Sequence, residues 1–296
     1  MTRWTTAALW LVSVLTLAAQ TASRRTDIPL GPPPGATVVR DLVYAHAGPR
    51  EMKLDLYRPE KPNGVVPLVV WIHGGAFLSG SKESREGEAA VWLAARGYAV
   101  ASIDYRLSQE ALFPAQKEDC EAAVRWLRAN AARFGLEGSR IGVFGASAGG
   151  HLAAMLGTAG SAAGLVQAVV DFYGPTDFNK MDAAALPGGM KHNPADSPES
   201  RLIGGLIQEN PDKVARANPI TYVTPAAPPF LIVHGDRDPL VPVNQSELLY
   251  DALTKDRVPV TFHKIVGAGH GGPAFNTPMV RAMVLAFLDE HVRRAK

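Results

Sequence analysis

The sequence contains one cysteine among its 296 residues, Cys120, so an intramolecular disulfide is impossible even if the protein is exported. Cys120 falls within a helical pattern from Glu118 to Ala132, which indicates a buried packing thiol rather than a nucleophile. Long apolar runs are also scarce. The longest lies near the N-terminus and is shorter than the ~20 residues that a membrane-spanning helix needs.

Neither sign of charge is in excess. The formal net charge is +2 at pH 7, and no block of Lys and Arg resembles an arm that binds nucleic acid, so no nucleic-acid partner is expected. Histidine and carboxylate residues do not recur at metal-site spacings, so we expect neither a metal nor an organic cofactor. The length is sufficient for one large domain with a substantial core.

Residues 1–23 have the pattern of a secretory signal peptide. Arg3 precedes an apolar run over residues 7–19, and small residues follow from Ala19 to Ser23. We therefore expect cleavage, a secreted or periplasmic protein, and no stable membrane insertion afterwards. An uncleaved anchor is the alternative. Residues 24–35 are rich in proline and glycine and are predicted to form a linker.

Residues 36–296 are predicted to form a single doubly wound α/β domain, because short apolar runs alternate with helical patterns. Two N-terminal strands alternate apolar and polar residues and are predicted to be antiparallel edge strands. The strands are expected near residues 37–44, 52–57, 68–72, 98–103, 141–144, 166–174, 229–235 and 260–266. The principal helices are expected near residues 86–95, 114–134, 244–255 and 277–294. Residues 175–222 break the alternation after the sixth strand, which indicates a lid-like insertion.

The segment from Gly145 to Gly149 matches the pattern G-x-S-x-G, with Ser147 at its centre. It lies between the strand near 141–144 and an Ala- and Leu-rich helix, the context in which this pattern marks a nucleophile. The residues two positions before and after the serine approach each other closely in such a turn. Gly145 and Gly149 meet that steric demand, so Ser147 is the candidate nucleophile.

A serine nucleophile needs a base and an acid that orients it. His270 follows the last strand in the glycine-rich loop 267–272 and is the best candidate for the base. Asp238 follows the strand that ends near 235 and is the preferred acid, with Asp236 as its competitor. The chain order Ser147, Asp238, His270 is the order used by α/β-hydrolases.

An oxyanion hole requires two backbone N–H groups directed at one point. Ala148, directly after the candidate nucleophile, supplies one. The other is expected from Gly74 or Gly75 in the segment H-G-G-A-F that follows the third strand, because glycine lets the backbone approach an ester oxygen closely.

With these residues assembled, the chain resembles the α/β-hydrolase esterases. It is most similar to their H-G-G branch near hormone-sensitive lipase and, within it, to secreted bacterial bifunctional feruloyl and acetylxylan esterases. The segments I-H-G-G-A-F-L-S-G-S-K, G-A-S-A-G-G-H-L-A-A, F-L-I-V-H-G-D-R-D-P-L-V-P and G-A-G-H-G-G carry the resemblance. Ala76 departs from the branch, which has a third glycine there, so the second oxyanion donor stays open between Gly74 and Gly75.

The resemblance implies a serine carboxylesterase that needs no cofactor and acts on short acyl esters or on acetyl or feruloyl esters of polysaccharides. An amide hydrolase, similar to arylformamidases or exopeptidases, is the alternative because it would use the same residues. A non-catalytic binding protein on this fold is a further alternative. The residues do not define the acyl length, the leaving group or the oligomeric state.

Overall fold

The computed structural model describes residues 31–160 and 164–293. The predicted signal peptide and most of the predicted linker lie outside the described residues. Within the described ranges, no helix has both the length and the apolar character needed to cross a membrane.

An eight-stranded sheet forms the centre of the domain, in the order β1-β2-β4-β3-β5-β6-β7-β8. β1 and β2 pair antiparallel, as do β2 and β4, and the remaining pairs are parallel. The strands are β1 Ala36–Ala47, β2 Arg50–Pro59, β3 Val66–Ile72, β4 Ala99–Ile103, β5 Leu136–Ala146, β6 Ala168–Phe172, β7 Phe230–Gly235 and β8 Val260–Ile265. The predicted α/β fold class is confirmed.

The prediction that β2 is an edge strand is wrong. β2 lies between β1 and β4, and Leu54, Leu56 and Tyr57 are fully buried. Apolar and polar residues alternate in β2, as in a half-exposed edge strand. The prediction was wrong because β2 pairs with β4, whose residues lie nearly fifty positions away in the sequence.

Helices cover both faces of the sheet, and side-chain alternation along the strands divides the core in two. In β3, Leu68 and Val70 face the layer that contains α2 and α4, whereas Val69 and Trp71 face the layer that contains α9. The helices are α1 Glu88–Val91, α2 Ala115–Ala129, α3 Ala131–Phe134, α4 Ala148–Thr158, α5 Met181–Ala184, α6 Pro198–Ile203, α7 Pro211–Arg216, α8 Asn244–Lys255 and α9 Pro278–His291.

Two helix predictions differ from the structure. The segment predicted as a helix over 86–95 is one turn of α-helix, α1, flanked by 3₁₀ helices that end at Gly97, which has a φ of 85°. The helix predicted over 114–134 divides at Asn130 into α2 and α3. Cys120 of α2 is fully buried, and burial raises the pKa of its thiol, which agrees with a packing role.

The segment between β6 and β7 folds into the short helices α5, α6 and α7 with 3₁₀ turns between them. Phe178, Met181 and Leu202 are buried in the main core, so the segment packs against the domain. Pro198 and Pro211 each begin a helix, where a missing N–H costs no hydrogen bond.

Candidate active site

The tight turn between β5 and α4 places Ser147 in a strained backbone conformation, with φ 55° and ψ −122°. A methyl group on Gly145 would lie 2.0 Å from the carbonyl oxygen of Gly149. A methyl group on Gly149 would lie 2.0 Å from the carbonyl oxygen of Ile72. Both positions therefore require glycine.

Ser147, His270 and Asp238 form a hydrogen-bonded chain across three loops. His270 Nδ1 lies 2.6 Å from Asp238 Oδ2, and His270 Nε2 lies 2.9 Å from Ser147 Oγ. Because a carboxylate only accepts, Nδ1 carries the proton and donates it to Asp238. Nε2 is then free to accept the hydrogen bond of the Ser147 hydroxyl.

Asp238 is buried and its other oxygen is also satisfied. Oδ1 accepts the backbone N–H groups of Leu240 and Val241 at 2.8 and 2.9 Å. Burial opposes ionisation of this carboxyl group, yet hydrogen bonds from His234 and His270 hold its pKa well below the usual range. The carboxylate is therefore charged at neutral pH.

Asp236, the competing candidate, hydrogen-bonds the main chain of the loop and not the imidazole. Its Oδ1 accepts the N–H of Gly267 at 2.7 Å, which fixes the start of the loop that carries His270. The structure thus brings Asp238 and not Asp236 to the imidazole.

His234, at the end of β7, is a second hydrogen-bond partner of Asp238. Its Nε2 lies 3.2 Å from Asp238 Oδ2 and 2.9 Å from the carbonyl oxygen of Val241, so this nitrogen is the donor. Its Nδ1 then accepts the hydroxyl of Ser246 at 2.7 Å. This role of His234 was not predicted from the sequence, because its partners Val241 and Ser246 lie outside the strand that it ends.

Tyr173 follows β6 and packs edge-on against His270, with ring centroids 4.6 Å apart. Its φ of 45° is unusual for a residue with a bulky side chain. Phe275 also packs edge-on against the Tyr173 ring, with ring centroids 4.6 Å apart. Tyr173 therefore forms an aromatic contact with the imidazole directly after β6.

The glycine segment after β3 is held by hydrogen bonds to its carbonyl groups. The Tyr105 hydroxyl donates to the carbonyl of His73 at 3.0 Å and lies 3.4 Å from the carbonyl of Gly74. His73 Nδ1 donates to the carbonyl of Gly74 at 2.7 Å. In a trans peptide the C=O and N–H groups point in opposite directions, so the Gly75 N–H points away from Tyr105.

Gly75 and Ala148 offer the free donors of this site. Within the described residues, neither N–H group donates to a protein acceptor. The Gly74 N–H, by contrast, donates to Glu86 Oε2 at 2.9 Å. A methyl group on Gly75 would lie 2.2 Å from the carbonyl oxygen of Ser79, which explains the second glycine. The geometry therefore favours Gly75 over Gly74 as the partner of Ala148.

Two further histidines near Ser147 are buried. His73 stacks on Tyr105, and Nδ1 of His151 in α4 lies 2.9 Å from the carbonyl oxygen of Pro175. Burial lowers the pKa of each to about 4, so both are neutral at physiological pH. A neutral ring beside a carbonyl carries its proton on the nitrogen that faces it, so His151 Nδ1 is a donor.

Across residues 31–160 and 164–293, no cluster of three or more His, Cys, Asp or Glu side chains could hold a metal ion.

Comparison with known proteins places this chain in a family. Residues 54–253 match the sequence profile of the BD-FAE family. Esterase LipC of Mycobacterium tuberculosis is 31% identical over 89% of this chain and 70% of LipC.

Solved structures share the fold. A truncated carbohydrate esterase from gut microbiota aligns with a TM-score of 0.78 and 32% identity, over 88% of this chain and 99% of that one. A bifunctional GH43-CE protein of Bacteroides eggerthii aligns with a TM-score of 0.76 and 34% identity, over 86% of this chain and 38% of that one.

The fold and these relatives define an α/β-hydrolase that hydrolyses carboxylic esters, and the resemblance drawn from the sequence is confirmed. Within that class, the chain belongs to the BD-FAE family.

Proposed function

We propose that the protein is a serine esterase in which Ser147 is the nucleophile, His270 the general base and Asp238 the orienting acid. The hydrogen-bonded chain from Asp238 through His270 to Ser147 carries this proposal. The order of residues matches the chemistry: the carboxylate fixes the tautomer, and the free Nε2 accepts the hydroxyl proton.

In the first half of the cycle, Ser147 Oγ attacks the ester carbonyl while its proton passes to His270 Nε2. The Gly75 and Ala148 N–H groups stabilise the negative charge on the carbonyl oxygen. The imidazolium then protonates the leaving alcohol, and the C–O bond to the alcohol breaks. The products of this half are the free alcohol and an acyl ester of Ser147.

In the second half, water attacks the acyl group and gives its proton to His270. The tetrahedral intermediate collapses, Ser147 takes back a proton, and a carboxylic acid leaves. Asp238, charged and buried, stabilises the imidazolium in both halves without taking its proton.

The substrates we propose are acetyl or feruloyl esters on plant polysaccharides, or other short-chain acyl esters. The support is the similarity to a protein named as a carbohydrate esterase and to the GH43-CE protein. We further propose that residues 1–23 direct export and are removed. Mass spectrometry of the protein recovered after expression tests this cleavage, because an intact N-terminus would contradict it.

The main test is hydrolysis of p-nitrophenyl acetate, butyrate and octanoate, methyl ferulate and acetylated xylan by the wild type and by Ser147→Ala. Loss of the nucleophile should lower turnover by about a millionfold. Ser139→Ala, at the far end of β5, is the matched control and should keep full activity. Residual turnover within tenfold of the wild type in Ser147→Ala would overturn the proposed mechanism.

The series also separates substrates. Turnover of acetate and xylan esters supports a carbohydrate esterase, whereas turnover restricted to the octanoate contradicts that specificity and keeps the mechanism. Formamides and dipeptides test the amide hydrolase alternative. Labelling of Ser147 by a fluorophosphonate would contradict a non-catalytic binding protein.

A further inference from the structure

A carboxylate lies against the glycine segment beside Ser147. Glu86, in the 3₁₀ turn before α1, accepts the N–H of Gly74 through Oε2 at 2.9 Å. A methyl group on Gly74 would lie 2.8 Å from this oxygen and 3.2 Å from Ser147 Cβ. Glu86 Oε2 therefore lies no more than about 6 Å from Cβ of the candidate nucleophile.

The charge of Glu86 faces the site from an exposed position. Its hydrogen bond comes from a backbone N–H and not from a cation, so the negative charge is not neutralised by that contact. The charge of Glu86 also acts on Tyr173, whose ring contacts His270. Burial is the largest cause that raises the pKa of Tyr173, and the charge of Glu86 is the next. A substrate bound to Ser147 would lie within the same field.

We propose that Glu86 is a specificity-determining residue that makes the enzyme favour uncharged esters over anionic ones. The inference rests on the proposed role of Ser147. A negative group on the alcohol or the acyl side of the ester would be brought within a few ångströms of the carboxylate and repelled. A neutral substrate such as an acetylated sugar meets no repulsion, and its hydroxyl groups can donate to the carboxylate.

The test uses two substrate pairs that differ in charge and little in shape. 4-Acetoxybenzoate and 4-acetoxybenzamide differ on the alcohol side, and monophenyl adipate and phenyl hexanoate differ on the acyl side. Glu86→Gln keeps an acceptor for the Gly74 N–H and removes the charge. In at least one pair, we expect the ratio of kcat/KM for the anionic ester to that for the neutral ester to rise about fivefold or more.

Ionic strength provides a second readout, because the gain should shrink when salt is raised to about 0.5 M. Glu60→Gln is the matched control: this exposed carboxylate follows the end of β2, which pairs with the start of β4, at the opposite end of the strands from Ser147. It should leave both ratios unchanged. The ratios are measured on one preparation, so they do not depend on the fraction of folded enzyme.

If Glu86→Gln leaves the ratio of kcat/KM unchanged in both pairs, this inference is overturned. If kcat/KM also falls equally for charged and neutral esters, Glu86 is assigned instead to holding the glycine segment. Ser147→Ala distinguishes the two proposals: if that variant stays active, the proposed function fails, whereas an inactive variant with unchanged Glu86→Gln ratios contradicts the specificity alone.

Discussion

His192 of the insertion hydrogen-bonds the main-chain carbonyl of Leu240, with Nε2 and the oxygen 2.9 Å apart. The N–H of Leu240 in turn donates to Asp238 Oδ1 at 2.8 Å. On its other side, His192 Nδ1 lies 2.9 Å from Glu199 Oε2 at the start of α6. The insertion is therefore tied through one buried imidazole to the loop that carries Asp238.

This imidazole should make stability depend on pH. Burial lowers the pKa of His192, but the hydrogen bond and charge of Glu199 and the Leu240 carbonyl outweigh burial and raise it above the ordinary value. Because the folded state holds the proton more tightly, the stabilisation is complete below the ordinary histidine pKa and is lost as pH rises through the raised value. Urea unfolding at a series of pH values measures this loss.

Comparison with His192→Gln isolates the contribution of His192 to the pH dependence of stability. Burial raises the pKa of Asp171 to about 7, but Asp171 titrates in both proteins and so cancels in the difference. Below the ordinary histidine pKa, the variant should be less stable by about 1–3 kcal/mol, and the difference should narrow as pH rises. His46→Gln, an exposed histidine on β1, should leave stability unchanged throughout. A difference that does not narrow with pH would contradict the titration.

The assignment of the orienting acid can be tested with two matched amide substitutions. Asp238→Asn should lower kcat on p-nitrophenyl acetate by about 10⁴-fold, because an amide can hold the imidazole in the wrong tautomer. Asp236→Asn removes a charge two residues away but keeps an acceptor for the Gly267 N–H, so kcat should change less than about threefold. The reverse ranking would transfer the role to Asp236.

The sequence predicts the parts of this molecule in which local pattern and geometry coincide. Around Ser147, the strand, the flanking glycines and the following helix are contiguous in the sequence. The steric requirements of this turn can therefore be predicted from the sequence alone. The same holds for the apolar run of β3, whose burial on both faces requires no knowledge of its partners.

Contacts between distant segments could not be predicted in this way. His192 lies in an aperiodic stretch, and nothing nearby indicates that it meets Leu240. Glu86 lies in a segment whose pattern resembles an ordinary amphipathic helix, yet the chain forms a 3₁₀ turn there and places the carboxylate on Gly74. Long-range polar pairing depends on the folded path of the chain, which hydrophobic periodicity does not encode.

A buried cation that pairs with carboxylates of β1 and β2 should be important for stability. Lys82 Nζ lies 3.0 Å from Asp55 and 3.1 Å from Asp41, and both Lys82 and Asp55 are buried. Burial opposes the charge on Lys82, but the surrounding carboxylates raise its pKa. Lys82→Met would leave the Asp55 carboxylate with less compensation, so we expect a loss of about 3 kcal/mol in the free energy of unfolding.

The control for this substitution is Lys264→Met, which breaks an exposed pair with Glu247 on the far edge of the sheet. An exposed pair contributes at most about 1 kcal/mol, so urea unfolding should separate the two variants clearly. Equal losses in both variants would show that burial of the Lys82 cluster adds no stability.

Two glycines close to the candidate active site should respond in opposite ways to the same substitution. In Gly149→Ala, the added methyl would lie 2.0 Å from the Ile72 carbonyl, and the backbone must shift under the turn that holds Ser147. In Gly269→Ala, beside His270, the nearest atoms would be 3.8 Å away, which is ordinary contact. We expect Gly149→Ala to lose more than about 3 kcal/mol of stability and most activity. Gly269→Ala should keep activity within a few-fold and gain about 0.4–1 kcal/mol, because alanine restricts the unfolded chain. Thermal unfolding and p-nitrophenyl acetate turnover on both proteins check this, and a fully active Gly149→Ala would contradict the tight packing of the turn against β3.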